Sequence, residues 1–191
     1  MENIIGKLVE EIKEHFKSKG KYFKIFSEQR TRIEDWFRGE LLFIFDKLKQ
    51  EIDKFKCEYS ECFDGDDRWK SVDLFFEQNK TKEKYLIELK ALLIGKDRKD
   101  NKRTLGFYKT GISNDLIKLE KLKDYKRYML AFVYPGCTEE DIKKDIEKII
   151  KNLKSKLKPY LKDKEKFYLY EEIGNISEET EKASLLVLEI K

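Results

Sequence analysis

The stretch that decides the fold runs from Trp69 to Ala91 and reads WKSVDLFFEQNKTKEKYLIELKA. Apolar and polar side chains alternate with a period of two on both sides of a polar segment, QNKTKE, at 78–83. That period is typical of β-strands, and a short polar segment between two such runs is typical of a turn. The stretch therefore predicts a β-hairpin.

The register of this hairpin follows from pairing Glu77 with Lys84 across the turn. The same register sets Asp73 opposite Glu88, and Lys90 lies two residues further along the second strand. Because side chains alternate between the faces of a strand, these three charged groups share one face, and a largely apolar set occupies the other. Two carboxylates and one ammonium group are thus expected to meet on a rigid sheet.

Apolar side chains lie on the charged face as well, since Phe75 and Leu86 have the same parity as the charged residues. Their presence predicts that another element covers this face. Buried charges need ionic partners or a metal ion. The alternative is a solvated face, which is the ordinary situation for charged residues on a hairpin.

The chemistry of the charged groups favours a divalent cation. The carboxylates of Asp73 and Glu88 prefer hard cations with oxygen ligands, such as Mg²⁺ or Mn²⁺, over zinc. Lys90 follows Glu88 on the same face and supplies a compact positive charge beside the two acids.

The pattern Val72-Asp73, fourteen intervening residues and Glu88-Leu89-Lys90 resembles the PD-(D/E)XK nuclease superfamily, which has the restriction-endonuclease-like fold. Val72 stands where the family name has proline. The resemblance covers about residues 31–134 and implies an α/β fold with a central mixed β-sheet flanked by helices, arranged around an αβββαβ core.

The resemblance also implies site residues and a cofactor. Asp73 and Glu88, with the backbone carbonyl of Leu89, would hold Mg²⁺ or Mn²⁺. Lys90 would orient the attacking water or neutralise the charge that develops on the phosphate.

A glutamate on an apolar helix face is a further candidate. The sequence predicts a helix from about Thr31 to Phe55 that opens with a capping box, TRIE. Glu40 lies on its apolar side. In many proteins of the superfamily that this sequence resembles, the helix before the first strand carries a glutamate whose side chain reaches the metal. Glu40 is therefore either a third acidic member of the site or the partner of Arg38 or another base.

A basic segment follows the hairpin, because eleven Lys and Arg stand against five Asp and Glu between Gly95 and Arg127. Clustered positive charge is the electrostatic signature of a protein that binds a phosphate backbone, although it also fits a solvated lysine-rich surface. The candidate phosphate contacts are Lys96, Arg98, Lys102, Arg103 and Lys109.

Histidine and cysteine usage excludes other site chemistries. The only histidine, His15, is expected on the surface of the first helix, so a nuclease built on paired histidines is excluded. The three cysteines contain no CxxC pair, which favours reduced, partly buried thiols over a zinc site or disulfides.

Length and periodicity predict one domain, residues 1–191, with its remaining elements in a clear order. A first helix is expected at 2–19, and a third begins with a cap at Ser113. Further predicted elements are a buried strand at 127–134, a helix at 138–157, and strands at 167–170 and 184–190.

The function expected from this resemblance is Mg²⁺-dependent hydrolysis of phosphodiester bonds in DNA by a type II restriction-like endonuclease acting as a homodimer. Two alternatives remain open: a non-catalytic nucleic-acid-binding module that retains the fold, and a structure-selective or single-strand repair nuclease. The sequence shows no signal-peptide pattern and no apolar run of membrane-spanning length, so a cytoplasmic protein is expected.

Overall fold

The computed structural model describes residues 4–29, 33–60, 71–96, 102–103, 108–134, 140, 144, 168–175 and 182–190. Its helices are α1 Ile4–Lys17, α2 Gly20–Gln29, α3 Glu34–Lys47 and α4 Lys109–Glu120. Its strands are β1 Ile52–Tyr59, β2 Val72–Gln78, β3 Lys84–Leu93, β4 Gly95–Lys96, β5 Lys102–Arg103, β6 Lys126–Tyr134, β7 Tyr168–Asn175 and β8 Lys182–Ile190.

Six of these strands form one mixed sheet in the order β1-β2-β3-β6-β8-β7. The β3–β6 pair is parallel, and the other four pairs are antiparallel. The hairpin of β2 and β3 has the predicted register, with Glu77 opposite Lys84 and Leu74 opposite Ile87. The mixed α/β class expected from the sequence is therefore confirmed.

The sheet is buried on both faces. On one face Ile87 and Leu89 share a buried cluster with Phe37 of α3. On the other face Leu86 belongs to a second cluster with Leu116 of α4. The prediction that the charged face of the hairpin is covered is thus confirmed, and α4 is the element that covers it.

Aromatic side chains form the centre of the core between the sheet and the helices α1, α2 and α3. Phe132 of β6 lies 5.5 Å from Phe16, 5.0 Å from Phe23 and 4.9 Å from Phe37, measured between ring centroids. These residues come from a strand and three different helices, so their packing fixes the helices against the sheet.

The predicted second helix was wrong at both ends. The helix α3 begins at Glu34, its N-cap Ile33 forms no side-chain cap hydrogen bond, and Thr31 lies outside the described residues. The helix ends at Lys47 because the following residues turn into β1, whose pairing with β2 overrides the helical periodicity of the segment from Ile52.

Other elements differ less from expectation. The helix α2 was not predicted, and α4 begins at Lys109 rather than at Ser113, which lies inside it. The strands β6, β7 and β8 confirm three predicted strands. Of the helix expected at 138–157, only Glu140 and Lys144 are described, and both are helical.

Truncating the central aromatic ring tests this packing. We expect Phe132→Ala to lower the free energy of unfolding by about 3–5 kcal/mol, because it opens a cavity among three rings. Urea denaturation followed by circular dichroism measures the change. The same substitution at Phe43, whose side chain is 67% exposed, is the control and should change stability by less than about 0.5 kcal/mol. Equal effects at the two positions would contradict the assignment of the core.

Candidate functional site

The site begins where β2 and β3 stop pairing. Their paired positions run from Glu77–Lys84 to Leu74–Ile87. At the next position the backbone N–H of Leu89 donates to Oδ2 of Asp73 at 2.7 Å. The carboxylate therefore satisfies a backbone donor of β3 and is fixed against the segment that carries Glu88 and Lys90.

The second oxygen of Asp73 has a basic partner from the opposite layer. Nη2 of Arg38, on α3, donates to Oδ1 of Asp73 at 2.8 Å. Arg38 also lies 3.2 Å from Glu58 and 3.6 Å from Asp35. Arg38 is thus an anchor for Asp73, and the sequence had offered it as a partner for Glu40.

Glu88 is the most deeply buried acid of the site, with 3% of its surface exposed. Its Oε1 lies against the ammonium group of Lys118 on α4, which also donates to the carbonyl of Ser71 at 2.8 Å. Burial, with a smaller contribution from the charge of Asp73, raises the pKa of Glu88 to about 8, and Lys118 opposes the shift.

Lys90 lies between the two helices that flank the sheet. Its Nζ donates to the carbonyl of Leu89 at 3.0 Å and contacts Asp115 of α4, also at 3.0 Å, while Glu34 of α3 lies 4.0 Å away. Burial opposes its charge, but Asp115 and Glu34 hold the pKa of Lys90 above its ordinary value. Lys90 is therefore a positively charged group in this state.

Glu34 is a site residue that sequence reasoning missed. It is the first residue of α3, and its Oε2 accepts a hydrogen bond from the backbone N–H of Ala91 at 3.3 Å. Burial raises the pKa of Glu34, Lys90 opposes this shift, and Asp73 adds to it. The sequence assigned Glu34 to a capping box, and that assignment concealed its contact with β3.

Two further residues of α4 were also missed as site residues. Asp115 and Lys118 are three residues apart, so they lie on the same side of the helix. They flank the buried residue Leu116. An acid and a lysine at this spacing beside an apolar helix face were the sequence signal for these two site residues. The signal can be interpreted only when α4 is known to cover the hairpin.

The structure does not bring Glu40 to this cluster. Its two oxygens contact Nε2 of His15 at 2.5 Å and Nζ of Lys19 at 3.1 Å. These contacts support the alternative that Glu40 pairs with basic residues in a structural role, and the basic residues are His15 and Lys19. The expectation that His15 lies on the surface was wrong, because 16% of its side chain is exposed. Burial raises the pKa of Glu40, but His15 and Lys19 outweigh this effect and lower it.

The basic segment continues directly from the site. After β3, the strands β4 and β5 form a small hairpin in which Lys96 pairs with Lys102 and Gly95 with Arg103. Lys109 is exposed at the start of α4. Arg98 lies outside the described residues. The candidate phosphate contacts that are described therefore lie on β4, β5 and α4, the three elements that follow β3.

The only described thiol lies beside the site. Cys57 is a free cysteine on β1 and is exposed, so the expectation of a partly buried thiol was wrong for this residue. Burial raises the pKa of its thiol, and the charge of Arg38 opposes this shift. Cys62 and Cys137 lie outside the described residues.

The donor set fits a hard divalent cation. Asp73, Glu88 and the carbonyl of Leu89 offer only oxygen atoms, which Mg²⁺ and Mn²⁺ prefer. Oε1 of Glu88 already lies against the ammonium group of Lys118, so a cation would have to share or take over this contact. In the described part of the chain, no group of three or more His, Cys, Asp and Glu is placed to hold a metal. The two acids lie instead against Arg38 and Lys118.

Comparison with known proteins finds no match: no protein-family model, no curated protein and no solved structure is significantly similar to this chain. Within the described residues, no helix combines the length and the apolar character needed to cross a membrane.

The raised pKa of Glu88 predicts a pH-dependent stability. The folded protein holds this proton more tightly than the unfolded chain, whose carboxyl titrates near the ordinary value of 4.5. The stabilisation is therefore complete below that value and is lost as the pH rises through about 8. Glu88→Gln mimics the protonated acid and removes this loss.

We expect the wild type to lose about 1–3 kcal/mol more than Glu88→Gln between about pH 5 and about pH 9. Urea unfolding in EDTA at several pH values measures the difference. Glu10→Gln, which alters an acid with 71% of its side chain exposed, should follow the wild type. Parallel curves for the wild type and Glu88→Gln would contradict the burial argument.

The contacts of Glu40 predict a structural role. We expect Glu40→Ala to lower the free energy of unfolding by about 1–3 kcal/mol, because it leaves two half-buried bases without their acceptor. Its affinity for Mn²⁺ should equal that of the wild type. The control is Glu14→Ala, since the side chain of Glu14 is 68% exposed and pairs with Lys17 on the surface. Weaker Mn²⁺ binding by a folded Glu40→Ala protein would contradict this structural role and support Glu40 as a member of the metal site.

Proposed function

We propose that this chain is a metal-dependent nuclease that hydrolyses phosphodiester bonds in DNA, built on the restriction-endonuclease-like fold. The observation that carries the proposal is the bond from the Leu89 N–H to Asp73. It joins two neighbouring strands at the point where they separate, and there it gathers Asp73, Glu88, the Leu89 carbonyl and Lys90. This convergence is what the PD-(D/E)XK pattern requires.

The order of elements supports the same fold. The chain runs α3, β1, β2, β3, α4 and β6, with β1, β2 and β3 as an antiparallel meander and β6 parallel to β3. This order contains the αβββαβ core expected from the sequence. The acids lie near the centre of the sheet, between the covering helices, where neighbouring layers can hold them in place.

Asp73, Glu88 and the carbonyl of Leu89 would hold Mg²⁺ or Mn²⁺. When bound, the cation would polarise the phosphate and lower the pKa of a coordinated water. Both acids must offer ionised oxygens to bind it, and therefore proton release from Glu88 accompanies binding.

Lys90 stabilises negative charge in this proposal. Its raised pKa keeps the ammonium charged, which favours the neutralising role over that of a proton acceptor. Asp115 and Glu34 hold it from two sides, so its position is set before the substrate arrives. A fixed positive charge in a partly buried site stabilises the transition state without a cost for reorganisation.

Glu34 and Arg38 position the reacting groups from α3. Arg38 orients Asp73, and Glu34 binds the backbone at Ala91 directly after Lys90. Glu34 replaces Glu40 in this proposal as the acid contributed by the helix before the first strand.

The DNA backbone would lie along the segment that follows β3. Lys96, Lys102 and Arg103 on the β4–β5 hairpin and Lys109 at the start of α4 are its proposed phosphate contacts, because cations at these positions neutralise phosphates near the site. We propose duplex DNA as the substrate and a cytoplasmic homodimer as the acting form, by analogy with type II restriction endonucleases.

A non-catalytic nucleic-acid-binding module is the second candidate. A specific observation favours it, because Asp73 and Glu88 already have Arg38 and Lys118 as partners. An acid that is neutralised by a basic neighbour can be a structural ion pair and needs no cation. Cleavage assays separate the two functions.

The deciding measurement is cleavage of supercoiled plasmid, linear duplex and single-stranded DNA with Mg²⁺ or Mn²⁺. We expect Asp73→Asn and Lys90→Ala to reduce the rate by at least about 100-fold, because each removes a charge that acts on the reacting phosphate. Asp46→Asn is the control on α3, since this acid is 74% exposed, and it should cleave at the wild-type rate.

Three outcomes are informative. Metal-dependent cleavage that is lost in both variants supports the nuclease, and the preferred DNA form distinguishes a restriction-like enzyme from a single-strand or repair nuclease. DNA binding without cleavage under either metal supports the binding module. Cleavage that persists in Asp73→Asn would contradict the site assignment.

A further inference from the structure

The helix α4 contributes two charged groups that continue the site. Asp115 contacts Lys90 at 3.0 Å and lies 3.9 Å from Lys118, which in turn contacts Glu88. Acids and bases therefore alternate along a chain from Lys90 on β3, across α4 and back to Glu88 on β3. In the described residues, Lys118 is the basic side chain that contacts Glu88.

The position of Lys118 is fixed by more than one contact. Its ammonium donates to the carbonyl of Ser71 at 2.8 Å, and 20% of the side chain is exposed. Leu116 and Leu119 on either side are buried against the sheet, so α4 cannot shift without disturbing the core. An ammonium group is consequently held at the same carboxylate that would receive a cation.

The charges of the whole cluster are already close to balance. Among the buried and half-buried side chains, four carboxyl groups, those of Glu34, Asp73, Glu88 and Asp115, face three basic groups, those of Arg38, Lys90 and Lys118. Asp35 and Glu58, which also contact Arg38, are exposed, so water screens their charges. A divalent cation added to this cluster leaves it with excess positive charge. Like charges in a partly buried site repel strongly, because little water screens them.

We propose that Lys118 is the resident counter-ion of Glu88, which a divalent cation must displace in order to bind. This inference rests on the proposed function, since it takes Glu88 as a metal ligand. Lys118 holds the acids together in the metal-free protein and weakens cation binding. A phosphate group brings negative charge, so the displaced ammonium and the cation together favour the binding of a phosphate. Metal and DNA are therefore expected to bind cooperatively.

The affinity for Mn²⁺ tests this role without any measurement of cleavage. Titration followed by electron paramagnetic resonance gives the dissociation constant of the wild type, Lys118→Met, Lys118→Gln and Lys118→Arg. We expect Lys118→Met and Lys118→Gln to bind Mn²⁺ about 10-fold more tightly, because each removes the competing charge. Lys118→Gln retains a donor for the Ser71 carbonyl and is the variant to use if Lys118→Met does not fold. Lys118→Arg keeps the charge and should bind like the wild type.

Lys121→Met is the matched control, because Lys121 is exposed at the end of the same helix and its loss changes the net charge by the same amount. It should bind Mn²⁺ like the wild type. Suppose that the wild type binds Mn²⁺ and that the folded Lys118→Met and Lys118→Gln proteins bind it equally well or more weakly. This result would overturn the counter-ion role and leave the nuclease proposal standing. A wild type that binds no Mn²⁺, alone or with duplex DNA present, would overturn both.

Discussion

The hydrogen bond from the Leu89 N–H to the Asp73 carboxylate is the interaction on which the site depends. A backbone donor in the middle of a sheet needs an acceptor, and neighbouring strands usually supply it. Here the two strands separate, and a side chain takes over this function. The same bond holds a carboxylate beside a second one that comes from the adjacent strand. Where the backbone pairing of β2 and β3 ends, the Asp73 side chain therefore accepts the hydrogen bond that a strand carbonyl would otherwise accept.

The site spans three layers of the fold. Arg38 and Glu34 reach it from α3, Asp115 and Lys118 reach it from α4, and the sheet lies between. Burial of Glu88 is costly, and oppositely charged groups from neighbouring elements offset part of that cost. Charged residues of this kind do little to stabilise a fold, and their concentration in one region is typical of sites that act on ligands.

The sequence predicted the centre of this site because the centre is local. The register between β2 and β3 follows from a short turn and a period of two, and both are visible within 23 residues of sequence, Trp69 to Ala91. The periphery depends on contacts between distant elements. Glu34 and Ala91 are 57 positions apart in the sequence, and Glu40 contacts His15, which is 25 positions away. The start of α4 was also misplaced, because a cap-like Ser113 is a local signal that tertiary packing overrides. Local patterns cannot reveal which helix covers which strand, and that information decides the partners of Glu88 and Lys90.

The parallel pairing of β3 with β6 has a consequence for the order of folding. The antiparallel meander of β1, β2 and β3 closes through short connections, whereas the 32 residues from Ile94 to Tyr125 must close before β6 can pair with β3. Closure of a long loop costs entropy before it gains contacts, so pairings of this kind form late. Asp73 and Glu88 therefore meet while they are still hydrated, and α4 covers them afterwards. Glu88 therefore loses its water at the same step in which α4 brings Lys118 to it, so this carboxylate is not buried before its basic partner arrives.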